Sequence, residues 1–251
     1  MRFIKNHSVL FIEEIKTLVI ADLHIGIEYE LYKSGINVPS QVSKMKRTIK
    51  KLIEQTKAKR LVILGDVKHD VPGVSYQEMK EIPKFLESLS KMVKIDICLG
   101  NHDTYLKELS PKGAKIHGSR GFKIGKFGFN HGHTWPSKEI LSCDHLIISH
   151  IHPMIQFKDK FGYRIIEPVW IKSRIHQERI KKRYKIKKTG KLEVIIMPAF
   201  NNLLGGTPVN VKKTSDELLG PLLKNEFIDM DESELYLLDG TFLGELKNIT
   251  R

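Results

Sequence analysis

The sequence predicts an α/β fold in which a second β-sheet stacks on a first, and three observations carry that expectation. Short β-branched runs alternate with amphipathic helical periods through the N-terminal part of the chain, as parallel pairing with helical crossovers requires. Strands near the C-terminus follow one another without intervening helices, which suggests a second sheet packed on the first. Five consecutive core-like strands end in Asp, Asn or His, so their carboxyl ends, gathered on one rim, would line a site.

Composition sets the bounds. The chain has 251 residues, 41% hydrophobic and 28% charged, which is an ordinary folded composition rather than a disordered one. It reads as a single domain over 1–251, with a motif-bearing part at 1–158 and a basic β-extension and second-sheet strands at 159–251. Lys and Arg number 42 against 29 acids, a net charge of +13. That balance favours an anionic partner such as a phosphate-bearing substrate or nucleic acid, although a solvated lysine-rich surface would give the same excess. Two cysteines, Cys98 and Cys143, are too few for a disulfide scaffold and read as small buried hydrophobes. No stretch approaches the roughly 20 apolar residues of a membrane span. Glu13 and Glu14 interrupt the region a signal peptide would need apolar, so the expectation is a cytoplasmic protein without a membrane partner. The oligomeric state is left open.

Taken in order, residues 2–12 read as a small hairpin split by Asn6-His7-Ser8. The first full strand, Thr17 to Ala21, runs into Asp22-Leu23-His24, whose two ligand-type side chains share a face if the backbone stays extended. Val42, Met45, Ile49, Leu52, Ile53 and Thr56 mark a helix over 40–57 with a lysine-rich outer face. Leu61 to Leu64 is a strand ending in Gly65-Asp66. Tyr76, Met79, Ile82, Leu86 and Leu89 predict a helix over 75–92 that Pro83 should kink or begin. The strand Val93 to Leu99 then reaches Gly100-Asn101-His102-Asp103, where Gly100 allows a turn. After an undefined piece from Leu106 to His117, Phe127 to Asn130 ends in His131-Gly132-His133, and Leu146 to Ser149 ends in His150-Ile151-His152. Farther on, Met197 to Gly206 reads as a Pro- and Gly-rich loop, open between packing over the rim and serving only as a turn, and Leu235 to Leu238 with Thr241 to Leu246 as a hairpin through Asp239-Gly240.

Two carboxylates, one amide oxygen and several imidazoles on a rim suit Mn²⁺, Fe²⁺ or Zn²⁺ rather than Ca²⁺ or a structural zinc. They are too many for one ion with an open position and fit two ions about 3.5 to 4 Å apart with a carboxylate bridge.

Asp22-Leu23-His24, Gly65-Asp66, Gly100-Asn101-His102-Asp103, His131-Gly132-His133 and His150-Ile151-His152 together resemble the five ordered blocks of the calcineurin-like metallophosphoesterase superfamily. The resemblance spans residues 22–152 and departs at Ser149, where the family usually has Gly. Glu167 to Trp170, Met197 to Asn201 and Gly205-Gly206 further resemble its Icc-like branch, which includes archaeal phosphohydrolases and DNA-ligase-associated phosphoesterases.

The resemblance implies the α/β metallophosphoesterase fold, a two-sheet αββα sandwich flanked by helices. It implies that Asp22, His24, Asp66 and His152 hold one divalent ion, and that Asp66 bridges to a second held by Asn101, His131 and His150. Mn²⁺ is the expected metal, with Fe²⁺ and Zn²⁺ as alternatives. By the same resemblance, His102 would be a catalytic group facing the substrate and Asp103 would orient it. His69 and His133 stay open between structural and supporting roles.

Residues 172–191 hold ten cations and one acid, Glu178, a concentrated patch that reads either as a nucleic-acid contact or as a solvated extension. The expected function is a two-metal-dependent phosphohydrolase, foremost a phosphodiesterase of nucleotide or nucleic-acid phosphoesters working by metal-bound hydroxide attack, with phosphomonoesters also open. One alternative is a DNA or RNA nuclease in repair, like the double-strand-break repair nuclease of the superfamily. The other is a catalytically weak protein-interaction scaffold like the retromer subunit, against which the retention of His102 argues.

Overall fold

Successive side chains of a strand point to opposite faces, and in this protein the two faces of each sheet meet different partners. The computed structural model describes residues 1–211 and 220–249. Its first sheet has the order β1-β2-β3-β4-β5-β6, formed by Arg2–Phe3 (β1), Leu10–Ile12 (β2), Thr17–Ile20 (β3), Arg60–Leu64 (β4), Lys94–Cys98 (β5) and Ala114–His117 (β6). β3 to β6 run parallel. They are joined through Ile27–Lys33 (α1) and Val42–Thr56 (α2), then Tyr76–Ser90 (α3), then the short Leu106–Leu109 (α4).

The second sheet has the order β13-β10-β11-β12-β9-β8-β7. Its strands are Phe122–Ile124 (β7), Phe127–Phe129 (β8), His145–Ile148 (β9), Pro153–Lys158 (β10), Arg164–Arg174 (β11), Glu193–Ile196 (β12) and Thr207–Pro208 (β13). Glu234–Leu237 (β14) pairs with β11, and Phe242–Glu245 (β15) completes the expected hairpin. Gln177–Tyr184 (α5) and Pro221–Lys224 (α6) lie on this half.

Strand alternation sorts the core into layers. Leu18, Ile20, Leu61, Ile63, Ile95 and Ile97 pack with Met45, Ile49, Ile82 and Leu86 of α2 and α3. Val19, Ala21, Val62, Leu64 and Cys98, one residue out of phase, pack on Phe127, Phe129, Ile147, Trp170, Ile195 and Met197 of the second sheet. That sheet's far face sets Leu146, Ile148, Ile171 and Val194 against Ile180 of α5 and Leu222 and Leu223 of α6. Helix, sheet, sheet, helix is therefore the order of layers, as the sequence predicts. The thiols of Cys98 and Cys143 are pushed up by burial to about 12 and about 11, which keeps them inert. No helix among the described residues is long and apolar enough to cross a membrane.

Several local expectations change. The undefined piece from Leu106 to His117 supplies α4 and a fourth parallel strand, β6. The second sheet already includes strands from Phe122 onward, well before residue 159. The basic segment is not a β-extension: beyond Arg174 it forms α5, whose Ile180 and Tyr184 are buried at helical spacing. Tyr76 and Met79 are exposed, and Phe85 takes their place in the core. Pro83 neither ends nor begins α3. The helix starts at a capping box, in which Ser75 Oγ accepts the Glu78 N–H (3.3 Å) and Glu78 Oε2 accepts the Ser75 N–H (2.6 Å).

One buried charge cluster sits in the first sheet. Asp96 of β5 takes His117 Nε2 of β6 at 2.6 Å and the Arg60 guanidinium of β4. Burial alone would raise its carboxyl, but His117 and Arg60 outweigh burial and hold it below the usual range. A carboxyl lowered by folding stabilises the protein fully above its unfolded value of about 4, and that contribution is lost as the pH falls through the lowered value. Asp96→Asn, which strands Arg60, should cost about 3 kcal/mol near neutral pH. In thermal melts from pH 7 to pH 2, the variant should also lose part of the acid limb; an unchanged melting profile would contradict this account.

Candidate metal centre

The carboxyl ends of β3, β4 and β5 meet those of β8 and β9 across the seam between the sheets. The chain does not stay extended there. Asp22, His24, Asp66, His150 and His152 all have left-handed backbones (φ 55°, 40°, 50°, 78° and 42°), five of the twelve such non-glycine residues described. Asp22 and His24 thus converge through kinks, not through strand alternation. Backbone bonds hold the kinks: Asp22 N–H to Gly65 O (3.2 Å), and His24 N–H to Asp66 O (2.8 Å).

Asp66 lies between two groups of donors. Its Oδ2 is 3.4 Å from His24 Nε2 and 3.2 Å from His131 Nε2, while its Oδ1 accepts the His102 backbone N–H at 2.9 Å. On one side, Asp22, His24 and His152 bring ligand atoms within 4.8 Å of one another, with His152 Nε2 3.5 Å from Asp22 Oδ1. On the other side, Asp66, His131 and His150 do the same, and Asn101 Oδ1 is 3.3 Å from His131 Nε2. All seven residues that the resemblance implies as metal ligands come together at this rim.

The imidazoles are held so that particular nitrogens face inward. His131 Nδ1 donates to Leu64 O (2.7 Å) and His152 Nδ1 to Gly205 O (3.2 Å), which leaves both Nε2 atoms toward the carboxylates. His24 Nδ1 lies 3.0 Å from His69 Nδ1, and His69 Nε2 meets Glu30 of α1. A proton on His24 Nδ1 and another on His69 Nε2 satisfy that chain and free His24 Nε2. His69 thereby supports His24, and its ring also falls within ligand distance of His24 and His102. His133 stacks edge-on to His131, ring centres 5.1 Å apart. Ser149 has an ordinary backbone, and its hydroxyl donates to Leu64 O (2.9 Å), so serine fits where the family usually has Gly.

Charge follows burial and neighbours. Asp66 stays ionised well below the usual carboxylate range, because His131 and His24 outweigh its burial. Burial would lower His131, but Asp66 and Asp22 raise it to about 9. Burial, then the charge of His131, lowers His133 and His150 to about 4, so both are neutral near pH 7.

His102 Nδ1 donates to the His69 carbonyl at 2.6 Å, leaving Nε2 available to a substrate. Asp103 does not orient this ring, contrary to the sequence expectation. Its fully buried carboxylate accepts the N–H groups of Val67 (2.8 Å), Lys68 (3.4 Å) and Gly100 (2.8 Å), tying two motif loops together. Burial, with Asp66 next, pushes Asp103 up to about 6. Sequence reasoning also misses Glu30 and the buried Lys68, whose ammonium reaches the carbonyls of Asp70 and Gly73 (2.7 Å to the latter). Glu30 carries no local signal, since the fold brings it to His69 from another segment, whereas Lys68 fastens its own loop. The loop after β12 does reach the rim, through Phe200 N–H to Ala21 O (2.9 Å) and Asn201 Nδ2 to Leu23 O (2.9 Å).

The donor set fits divalent cations. Both oxygens of Asp22, His24 Nε2 and His152 Nε2 are buried without a hydrogen-bond partner. Such atoms are costly unless a cation satisfies them.

A family model described as calcineurin-like phosphoesterase matches residues 15–196, which include the five ordered blocks between Asp22 and His152. No curated protein matches the chain. Among solved structures, the nuclease MPE of Pseudomonas putida aligns with a TM-score of 0.55 at 16% identity, over 92% of this chain and 87% of its own. YfcE, a phosphoesterase from E. coli, aligns at 15% identity and a TM-score of 0.44, over 91% of this chain and 97% of its own. With a family model covering most of its length, the chain belongs to the calcineurin-like phosphoesterase family.

Proposed function

We propose that this protein is a two-metal-dependent phosphodiesterase acting on nucleotide or nucleic-acid phosphoesters. The observation that carries the reading is the position of Asp66, one carboxylate set between two groups of buried nitrogen and oxygen donors. Asp22, His24 and His152 with Asp66 would hold one ion; Asn101, His131 and His150 with Asp66 would hold the other. Bound there, a pair of divalent ions polarises a phosphoryl oxygen and lowers the pKa of water enough to supply a nucleophile at neutral pH. Mn²⁺, Fe²⁺ and Zn²⁺ all accept this donor set, and Mn²⁺ is the first to test.

The chain's own groups supply the rest. His102, fixed through Nδ1, presents Nε2, and in the imidazolium form that nitrogen carries the proton that stabilises the charged phosphoryl group and passes to the leaving oxygen. Asp103 holds the backbone that carries His102, so it acts through position. A second reading, a DNA or RNA nuclease, is favoured by the cations of 172–191.

Three outcomes follow for Mn²⁺-loaded protein. His102→Ala should retain two metal ions per chain by elemental analysis and lose about 10²- to 10⁴-fold in kcat on a bis-aryl phosphate. Asp66→Ala should lose metal and turnover together. His69→Ala should weaken metal binding about 10- to 100-fold in a competition titration, because His24 loses the partner that fixes its tautomer. Full activity in the His102 or Asp66 variant, or hydrolysis of no phosphoester by the wild type with any of the three metals, would sink the reading.

A further inference from the structure

A cavity of about 660 Å³ opens on the loop that follows His133, and none of the roles above uses it. Ser119, Arg120, Thr134, Trp135, Arg183 and Tyr184 line it. Its floor is built: Tyr184 Oη donates to Pro136 O (2.7 Å), Thr134 Oγ1 to Ser119 O (2.7 Å) and Asn130 Nδ2 to the same carbonyl (3.0 Å). Trp135 is wedged edge-on against Phe227, ring centres 4.9 Å apart. The cavity is continuous in sequence with the site, because Thr134 follows His133 on the loop that carries His131.

Its two arginines stand out from their neighbours. On α5, Arg179 pairs with Glu226 and Lys181 with Glu178. Arg183 and, across the cavity, Arg120 are exposed and have no carboxylate partner among the described residues. The Arg183 guanidinium carbon sits over the Trp135 ring, 3.4 Å from its centre. Stacking of this kind fixes the guanidinium plane; one side of the guanidinium turns to the Tyr184 hydroxyl, and the remaining N–H groups of the fork suit phosphate binding. It also covers the indole face, so a base has no open ring there to stack on.

We infer that this cavity is a phosphate subsite that takes a backbone phosphate of a nucleic-acid strand, flanking the phosphodiester at the metal centre. The inference rests on the phosphodiesterase reading and narrows it to a polynucleotide substrate. Arg120 and Arg183 grip the flanking phosphate, and the cations that follow α5, Lys185, Lys187, Lys188 and Lys191, continue the track beyond what one phosphate needs.

The test compares the full-length protein with Arg120→Gln/Arg183→Gln, Arg183→Lys and a control outside the cavity, Lys187→Gln/Lys188→Gln. Binding of a fluorescent single-stranded oligonucleotide is followed by anisotropy in EDTA across salt concentrations, and turnover of a bis-aryl phosphate is measured with Mn²⁺. The double arginine variant should bind the strand about tenfold more weakly, with a log–log salt slope shallower by roughly 0.7 for each phosphate it no longer neutralises, and keep its small-diester kcat/KM within about twofold. Arg183→Lys, which keeps the charge but not the fork, should lose part of the affinity; the control pair should lose less than the arginine pair. Unchanged binding in the arginine variant, or an equal loss in the control, would overturn the subsite. If the wild type cleaves the bis-aryl phosphate but binds no oligonucleotide, the subsite fails and the phosphodiesterase reading stands. If it hydrolyses nothing yet binds through the arginines, that reading fails and the subsite stands.

Discussion

The fold depends most on how Asp66 is held. One of its oxygens accepts the backbone N–H of His102 from the loop after β5, and the other faces His24 from the loop after β3 and His131 from the loop after β8. Three chain segments from two sheets must therefore approach one carboxylate closely. Two glycines permit it. A Cβ at Gly100 would fall 2.1 Å from Asp66 Oδ1, and one at Gly65 would fall 2.4 Å from His131 Nδ1. Gly100 does not serve a turn with positive φ; it serves a close approach. Leu64, just before, accepts hydrogen bonds from both His131 Nδ1 and Ser149 Oγ, so the end of β4 is fastened to the second sheet on the same side.

This closeness carries a cost that the rest of the structure offsets. Five ligand-type residues in the left-handed region are each disfavoured by about 1 kcal/mol or more. They persist because their backbone groups are already committed, Asp22 and His24 to β4's loop and Ala21 to Phe200. Beneath them, the inter-sheet core from Val19 to Met197 leaves no room for the strand ends to relax. Strain of this kind concentrates where side chains must converge for a purpose other than stability.

Strands β3 to β5 and the polar residues gathered at the rim were legible in the sequence because both depend on local features: β-branched runs, and polar residues placed just past them. β6 was not, since Ala114-Lys115-Ile116-His117 is a half-exposed edge strand with little apolar signal. Nor could periodicity say which sheet a strand joins; β8 and β9 read like β3 to β5 but belong to the other layer. The basic segment hid a helix because its cations outnumber the two residues, Ile180 and Tyr184, that face the core. Asp103 illustrates the limit most clearly. Its neighbour in sequence is His102, yet one oxygen closes a local turn on Gly100 and the other goes to Val67 and Lys68, a choice made by tertiary packing.

The two sheets divide the chemistry between them. The first contributes Asp22, His24, Asp66 and Asn101, and the second contributes His131, His150 and His152, so the donor set at the rim draws on both layers. The second layer also carries the cationic helix. At physiological ionic strength, exposed charges are screened within about 8 Å, so a net charge of +13 spread over the surface would do little at the rim. What gives α5 its consequence is attachment: Tyr184 is hydrogen-bonded to Pro136, and Arg183 lies on Trp135, both on the loop that begins at His131. The same loop thus fixes the His131 imidazole at one end and a guanidinium at the other, which makes the distance between them a property of the fold rather than of side-chain freedom.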